Sequence, residues 1–202
     1  YAIISNKEGF VEEGKIYHIY NRGINGTDIF KEKRNYYHFL EKYEEYCSGI
    51  LETYAYALLK NHFHLLVKVM ENIIIPRNDG KGEIQLNASK QLSHFFNSYV
   101  QSFNNAYNRH GKLLEVPFNR KRIDSDAYFT SLIYYIHFNP QHHQFVTDFR
   151  NWEFTSWHNI LDNRPTFISR DKVIDWFGSK KHFVDAHIGN MPLNNISHLI
   201  ME

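Results

Sequence analysis

Residues 51–69 read LETYAYALLKNHFHLLVKV, two apolar and aromatic runs separated by the polar dipeptide Lys60-Asn61. Such a pattern is typical of two strands joined by a tight turn, an antiparallel hairpin. Side chains alternate along a strand, so His62 and His64 share one face of the second strand. The opposite face of that strand is entirely apolar. We therefore expect the apolar face to pack against the core and the histidine face to stay open.

Strand and helix patterns continue on both sides of this hairpin. A β-rich segment over 15–22 and an amphipathic helix over 32–47 precede it. A loop over 71–86, a long helix from Asn87 or Ser89 to about His110 and a short basic strand over 118–123 follow it. The order β-α-β-β-α-β predicts an α+β protein with a ferredoxin-like (split βαβ) antiparallel sheet and helices on one face.

One further helix follows the last strand. It can begin at the capping residues Asp124-Ser125-Asp126, and we expect it to end near Asn139, because Pro140 disfavours helical geometry in the residue before it. The residues after Pro140 contain all three tryptophans and no clear motif. We therefore predict one domain over 1–140 and a helical or irregular C-terminal extension over 141–202 that packs on it.

Composition excludes several classes of protein. The chain has 202 residues, of which 43% are hydrophobic and 16% aromatic, so it can build a sizeable core and is not a disordered tail. Its apolar runs are too short to cross a bilayer, and we expect no secretory leader. A single cysteine, Cys47, rules out a disulfide framework and a cysteine-based zinc site. The net charge is only +1, so any binding of nucleic acid must depend on local basic patches.

The two histidines of the second strand are candidate metal ligands. Positions two apart on a strand place them roughly 6–7 Å apart, a reasonable span for one shared divalent ion. Imidazole suits Zn²⁺, Mn²⁺ and Ni²⁺, and a pair alone leaves coordination positions open for a substrate. The alternative is that His62 and His64 are ordinary surface histidines on a half-exposed strand.

The last helix offers a candidate nucleophile. It contains Tyr135 and Asn139, which are one turn apart and share a face. An amide oxygen can ligate a cation, and a phenol beside it can attack a group that the cation holds. A tyrosine-rich packing helix is the simpler alternative, and Tyr134 paired with His137 competes with Tyr135 on equal terms.

Motifs in this order resemble a known family. Asn61-His62-Phe63-His64 resembles the His-hydrophobic-His signature of the single-tyrosine HUH transposases. Tyr135-Ile136-His137-Phe138-Asn139-Pro140 resembles the YIHxNP stretch of their branch called REP-associated tyrosine transposases. Two further stretches are similar to that branch, Tyr17-His18-Ile19-Tyr20-Asn21-Arg22-Gly23 and Phe118-Asn119-Arg120-Lys121-Arg122. The resemblance covers most of the chain.

The resemblance implies that Tyr135 is the nucleophile and that His62, His64 and Asn139 ligate a divalent ion, Mg²⁺ or Mn²⁺. It also implies that residues 1–140 are an HUH single-tyrosine transposase catalytic domain. Such an enzyme cleaves and rejoins single-stranded or hairpin DNA through a 5′-phosphotyrosine intermediate, as a monomer or a homodimer. No nucleotide cofactor is needed, and the sequence contains neither a P-loop nor a dinucleotide-binding glycine motif.

Candidate DNA contacts come from two places. Between Tyr107 and Ile123 five basic residues stand against one acidic residue, a run that can follow a phosphate backbone or be an ordinary solvated loop. Two more candidates lie on one face of the first strand. The predicted DNA-binding set is therefore His18, Arg22, Arg120, Lys121 and Arg122.

These observations predict a metal-dependent DNA transposase that works in the cytoplasm, associated with the nucleoid, with no membrane partner. One alternative is an HUH replication initiator or relaxase, whose usual three-histidine site and larger size fit less well. Another is a non-catalytic nucleic-acid-binding module on the same ferredoxin-like fold. Binding modules of that kind display aromatic side chains on the sheet rather than paired histidines.

Overall fold

A four-stranded antiparallel sheet lies at the centre of the computed structural model, which describes residues 11–76 and 81–189. None of the helices in these ranges is long and apolar enough to cross a membrane. In chain order the elements are β1 (Ile16–Arg22), α1 (Lys33–Cys47), β2 (Leu51–Leu59), β3 (His62–Val69), β4 (Ile74–Pro76), β5 (Glu83–Gln85), α2 (Ala88–Ala106), β6 (Asn119–Ile123), α3 (Asp126–His142), α4 (Ser156–Leu161), α5 (Arg170–Phe177) and α6 (Lys180–Ile188).

The strand order in the central sheet is β2-β3-β1-β6, and each neighbouring pair is antiparallel. This order places β3 between β1 and β2, which is the ferredoxin-like arrangement. β2 and β3 form a hairpin with a two-residue turn at Lys60-Asn61. The α+β class, the ferredoxin-like sheet and the hairpin that the sequence predicted are therefore confirmed.

α1 and α2 pack on the apolar face of the sheet. The ring of Phe63 on β3 lies 5.0 Å from that of Phe39 on α1 and 5.4 Å from that of Phe96 on α2. Fully burying one phenylalanine contributes about 1.5–3 kcal/mol, so these contacts hold the two helices to the sheet. The side chain of Asn87 caps α2 by accepting from the backbone N–H of Lys90, as the sequence suggested.

α2 ends at Ala106, earlier than the expected end at His110. Asn108 adopts a left-handed backbone conformation with φ 50°, and the backbone N–H of Arg109 turns back to the carbonyl of Asn104. A left-handed residue cannot continue a right-handed helix, and asparagine tolerates this conformation better than most residues. The apolar periodicity of the helix contains no signal for this stop.

α3 lies across the opposite face of the sheet, so helices cover both faces rather than one. Its Tyr135 ring contacts the His64 ring on β3, and its Asn139 side chain contacts that of His62. His62 and His64 are only 8% and 1% exposed. The expectation of an open histidine face is therefore wrong, because the helix that follows the last strand folds back over that face.

α3 also continues past Pro140 and ends at His142. The expected end at Asn139 is therefore wrong by a few residues. Proline removes one N–H and disfavours a helical residue before it, but this cost falls in the last turn. There the carbonyls of Asn139 and Pro140 accept from the backbone N–H groups of His143 and Phe145, which retains the final turn.

Residues 71–86, expected to be a loop, contain a small separate hairpin of β4 and β5. β5 is exposed along its whole length, whereas Ile73, just before β4, is buried. Each strand has only three residues, too few for an alternating pattern to be visible in the sequence.

The segment after α3 packs along β2. Thr155 and Ile168 form isolated β-bridges with Ala57 and Thr53, and Trp157 is buried. The boundary predicted at residue 140 falls inside α3, and the division into two units stays a prediction. The first residues of the predicted domain, 1–10, and the last residues of the predicted extension, 190–202, lie outside the described residues.

Candidate active site

β3 and α3 bring together the four residues that the resemblance assigns to catalysis and metal binding. Nε2 of His62 lies 3.1 Å from Oδ1 of Asn139. The ring centroid of Tyr135 lies 5.7 Å from that of His64, and the rings of His62 and His64 are 5.2 Å apart. All four side chains are buried. We call these four residues the histidine cluster, an enclosed site between the sheet and a helix.

Local structure explains this convergence. His62 and His64 are two positions apart on β3 and project from the same face. Tyr135 and Asn139 are four positions apart on α3 and lie one turn apart on the side that meets the sheet. A slip of β3 by one residue would move both histidines to the other face, so the register of the sheet is part of the site.

The competing pair lies on another side of α3. The ring of Tyr134 stacks on Phe138 at 5.4 Å and meets His187 at 5.6 Å. His137 is hydrogen-bonded to His187 and to Ser156. Both residues thus pack against the C-terminal helices rather than against the histidines of β3.

His62 lies between two amide oxygens. Its Nδ1 is 2.7 Å from Oδ1 of Asn61, and its Nε2 is 3.1 Å from Oδ1 of Asn139. A neutral imidazole carries one N–H, so only one of these two acceptors can receive a hydrogen bond. Burial lowers the pKa of His62 to about 4, which disfavours the doubly protonated ring near neutral pH. With the Asn139 amide in this orientation, one ring nitrogen and one amide oxygen face each other without a proton. A cation between them satisfies both, as would a half-turn of the amide that brings its unpartnered Nδ2 to the ring.

His64 and Asn139 complete the test of a cation site. Nε2 of His64 and Nδ2 of Asn139 are buried, and neither makes a hydrogen bond of normal geometry to a described residue. Ligand atoms at about 2.1 Å from an octahedral cation lie about 3 Å apart, close to the His62–Asn139 separation. Within the described ranges no group of three or more His, Cys, Asp or Glu side chains could hold a metal ion. The set that fits a divalent ion is instead two imidazoles and one amide oxygen.

Both imidazoles are in the protonation state that ligation requires. Burial, followed by the neighbouring His18, lowers the pKa of His64 well below its ordinary value. Burial is also the main cause of the lowered pKa of His62. A neutral ring offers a lone pair, whereas a protonated ring cannot ligate a metal. At neutral pH both rings are therefore ready to act as ligands.

His18, expected to contact DNA, is fully buried between the sheet and α3. Its Nε2 lies 2.9 Å from Nδ1 of His64, and its ring lies 6.4 Å from that of Tyr135. In this arrangement α3 covers the side chain, which has no exposed surface through which to contact DNA. His18 thus lies against the histidine cluster rather than at the surface, and its predicted role in DNA binding stays a prediction.

The other predicted DNA-binding residues are divided between the two faces of the sheet. β6 is an edge strand of the sheet, and Lys121 stands directly opposite His18, on the face of the histidine cluster. Its neighbours Arg120 and Arg122 alternate to the other face. Arg22, on the cluster side, is half-exposed and pairs with Glu115 at 2.7 Å. Lys121 and Arg22 are thus the basic residues nearest to the cluster by strand register.

Arg120 lines a cavity of about 380 Å³ between the sheet and α2. Its guanidinium lies 5.2 Å from the centre of the Phe118 ring. Phe96, Ser93 and Asn97 of α2 also line this cavity. The cavity therefore lies on the far side of the sheet from the histidine cluster.

Sequence reasoning gave no role to two residues beside the cluster. Asn61 belongs to the His-hydrophobic-His stretch but was assigned no role, and its amide oxygen contacts Nδ1 of His62. The ring of His143 lies edge-on to that of His62 at 4.9 Å. Because His143 follows Asn139 by four positions, helical spacing could have indicated it, but α3 was expected to end at Asn139.

No protein-family model and no curated protein sequence matches this chain. Among solved structures, it is similar to a REP-associated tyrosine transposase bound to a REP hairpin, with a TM-score of 0.54 and 15% sequence identity. The similarity covers 81% of this chain and 89% of that chain. The fold expected from the motif resemblance is thus supported by a comparison that does not use the motifs. The chain has the fold of a REP-associated tyrosine transposase.

Proposed function

We propose that this protein is a metal-dependent DNA strand transferase that cleaves and rejoins single-stranded or hairpin DNA through a 5′-phosphotyrosine. The observation that carries the proposal is the convergence of Tyr135 and Asn139 with His62 and His64 in one buried cluster. The transposase of similar fold was solved with a REP hairpin, which supports hairpin DNA as the partner.

Tyr135 acts as the nucleophile in this proposal. Its phenolic oxygen attacks the phosphorus of the scissile phosphate and loses its proton, while the bond from phosphorus to the 3′ oxygen breaks and that oxygen gains a proton. The upstream fragment leaves with a free 3′-hydroxyl, and the downstream fragment stays joined to Tyr135 through its 5′ phosphate. Attack by a 3′-hydroxyl on that phosphate reverses the step and rejoins DNA.

His62, His64 and Asn139 would hold the divalent ion, Mg²⁺ or Mn²⁺. When bound, the ion supplies Lewis-acid polarisation of the scissile phosphate. All three ligand side chains are uncharged at neutral pH, so the compensating negative charge has to come from the DNA phosphate. We therefore expect the ion and the DNA to strengthen each other's binding.

Access to the phenol requires movement. Tyr135 is 1% exposed, so a phosphate reaches its oxygen only when α3 or the side chain shifts. Arg22 and Lys121 flank the cluster on the same face of the sheet, opposite His62 and His18 on the neighbouring strands. Their positive charges would attract the DNA backbone toward this face.

The wider expectations belong to the same proposal. The part of the chain up to about residue 140 would be the catalytic domain, and the part after it an extension packed on that domain. The protein would act as a monomer or a homodimer in the cytoplasm, associated with the nucleoid.

End-labelled DNA tests this function. Wild-type protein with single-stranded hairpin DNA and Mn²⁺ should form an SDS-stable adduct that carries a 3′-end label and not a 5′-end label. The polarity follows because the 5′ phosphate of the downstream fragment joins the protein. Chelation of the ion should abolish the adduct.

Two tyrosine variants identify the nucleophile. Tyr135→Phe should abolish the adduct and leave DNA binding largely intact, because it removes one oxygen and no charge. Tyr134→Phe is the matched control on the other side of α3 and should retain the adduct. An adduct that persists in Tyr135→Phe and is lost in Tyr134→Phe would contradict the assignment.

The same assay separates the alternatives. DNA binding without any adduct would favour a non-catalytic module, although α3 covers the sheet face that such a module would use for stacking. A replication initiator or relaxase would give an adduct of the same polarity. Its usual three-histidine ligand set differs from the two imidazoles and one amide of this cluster.

A further inference from the structure

We propose that His18 is a positioning residue that holds His64 in the tautomer with a proton on Nδ1 and a bare lone pair on Nε2. Its importance for cleavage rests on the proposed function. The tautomer itself is a property of the metal-free protein and can be measured independently.

His18 and His64 meet across neighbouring strands. Nε2 of His18 lies 2.9 Å from Nδ1 of His64, and the rings stack with centroids 5.1 Å apart. In the register of β1 and β3, Tyr20 stands opposite His64, so His18 occupies the diagonal position on the same face. Both histidines are buried, at 0% and 1% exposure. The contact is therefore set by the sheet register and shielded from water.

The proton between the two rings has two possible positions. If His18 donates, neutral His64 carries its own proton on Nε2, where the nearby side chain of Asn139 and the other described residues offer no hydrogen bond of normal geometry. An unmet buried donor is destabilising, and its N–H would also repel a cation. If His64 donates from Nδ1, its Nε2 keeps a lone pair that a cation can use. Metal-binding histidines commonly donate their second ring N–H in this way.

Aromatic neighbours keep the ring of His64 in this orientation. The ring of Tyr20 stacks on it at 6.0 Å, and the ring of Tyr135 meets it edge-on at 5.7 Å. A half-turn of His64 would place a carbon where Nδ1 now meets His18. The hydrogen bond and the packing therefore select the same orientation.

His62 is held by a parallel device. Oδ1 of Asn61 lies 2.7 Å from its Nδ1 and can only accept, so it favours a proton there and a lone pair on Nε2. Asn61 and His18 thus act alike on alternate residues of β3. Each accepts from Nδ1 and leaves Nε2 for the cluster.

Two substitutions separate positioning from packing. His18→Phe keeps a ring of similar size but removes the acceptor. His18→Gln loses the ring but places an amide oxygen that can accept near the position of Nε2. If His18 only fills space, His18→Phe should preserve the His64 tautomer and the Mn²⁺ affinity better than His18→Gln. If His18 positions His64, His18→Gln should preserve them better.

Nitrogen-15 NMR of the full chain without metal or DNA, at pH 7.5, reads the tautomer directly. Wild-type His64 should carry its proton on Nδ1, His18→Phe should move population to Nε2, and His18→Gln should restore Nδ1. Mn²⁺ affinity without DNA, measured by electron paramagnetic resonance, should fall about 10–100-fold in His18→Phe and stay close to wild type in His18→Gln. Thermal unfolding of each variant shows whether it is folded.

Several results would overturn the proposal. An NMR result that places the proton of wild-type His64 on Nε2 would overturn it, even if no variant folds. Unchanged Mn²⁺ affinity in folded His18→Phe would also overturn it. So would an equal loss of Mn²⁺ affinity in both variants that parallels their loss of thermal stability. If wild type shows the Nδ1 proton but binds no Mn²⁺ either alone or with hairpin DNA, the positioning of His64 stands and the proposed metal-dependent function fails.

Discussion

At the residue scale, two groups of buried histidines in the described part of the chain differ in the placement of their protons. In one, the hydroxyl of Ser156 donates to Nε2 of His137 at 2.7 Å, and Nδ1 of His137 donates to Nε2 of His187 at 2.9 Å. Nδ1 of His187 then donates to the carbonyl of Phe183 at 2.7 Å. Both rings there are satisfied while neutral. His62 is not satisfied while both neighbouring amides turn their oxygens to it, and a cation bound there would complete the site.

Replacing His64 by alanine should destabilise the fold, because α3 covers this side chain. Deleting a buried ring leaves a cavity and removes the partner of His18, so we expect a loss of about 1–3 kcal/mol in the free energy of unfolding. Urea denaturation should show this as a lower midpoint with an unchanged slope. Lys68→Ala, on the same strand face but half-buried, is the control and should change by less than about 0.5 kcal/mol. Equal stability of His64→Ala and wild type would contradict the covered face.

At the element scale, strand geometry divides what the sequence presents as one basic run. Arg120, Lys121 and Arg122 are consecutive, but consecutive residues of β6 project to opposite faces of the sheet. Only Lys121 shares the face of the histidine cluster. A DNA strand on the cluster face of the sheet would therefore contact Lys121 directly. It would reach Arg120 and Arg122 only around the edge of the sheet.

Lys121→Ala should weaken single-stranded DNA binding more than Arg122→Ala does. The guanidinium of Arg122 is on the other face, 2.5 Å from Asp124 and 3.5 Å from Glu12. Loss of one phosphate contact at Lys121 should flatten the plot of log affinity against log salt by about 0.7. Titrations at several salt concentrations measure both effects. Matching slopes for the two variants would mean that DNA follows the edge of β6 instead of the cluster face.

At the scale of the whole molecule, the neutral histidine group ties the C-terminal helices to the rest of the fold. Ser156 of α4 and His187 of α6 meet at His137 of α3. The hydroxyl oxygen of Ser156 also accepts from the backbone N–H of Tyr56 on β2 at 2.9 Å. One buried chain of hydrogen bonds therefore joins four elements, and it requires rings that can accept as well as donate.

Acid should weaken this connection through His187. Burial lowers its folded-state pKa to about 4, from an ordinary value of 6.5. Between these values the unfolded chain binds more protons, so the free energy of unfolding falls as the pH drops, by up to about 3 kcal/mol from this group. His187→Gln removes the titration, and its loss of stability between pH 7 and pH 4.5 in urea denaturation should be smaller than that of wild type. Identical losses would place the acid sensitivity in other groups.

The sequence by itself determined the sheet and the candidate residues. Period-two alternation in the β2–β3 hairpin and helical periodicity in α1 and α2 are local properties, and their order along the chain specifies a ferredoxin-like arrangement. The histidine pair on β3 also follows from spacing within one element, whereas on α3 spacing left two pairs open and the family resemblance selected Tyr135 and Asn139. Each of these predictions needs only residues that are close in the chain.

Only the tertiary structure decided which face α3 covers, and with it the burial of the cluster and the place of His18. The contact between His18 and His64 joins residues 46 positions apart, and that between His62 and Asn139 joins residues 77 positions apart. No local period encodes how a helix crosses a sheet, because that choice depends on which apolar surfaces remain to be buried once α1 and α2 occupy the other face. The end of α3 beyond Pro140 was predicted wrongly for a related reason. The sequence shows the proline, but not the backbone hydrogen bonds that His143 and Phe145 make to Asn139 and Pro140 in the folded chain.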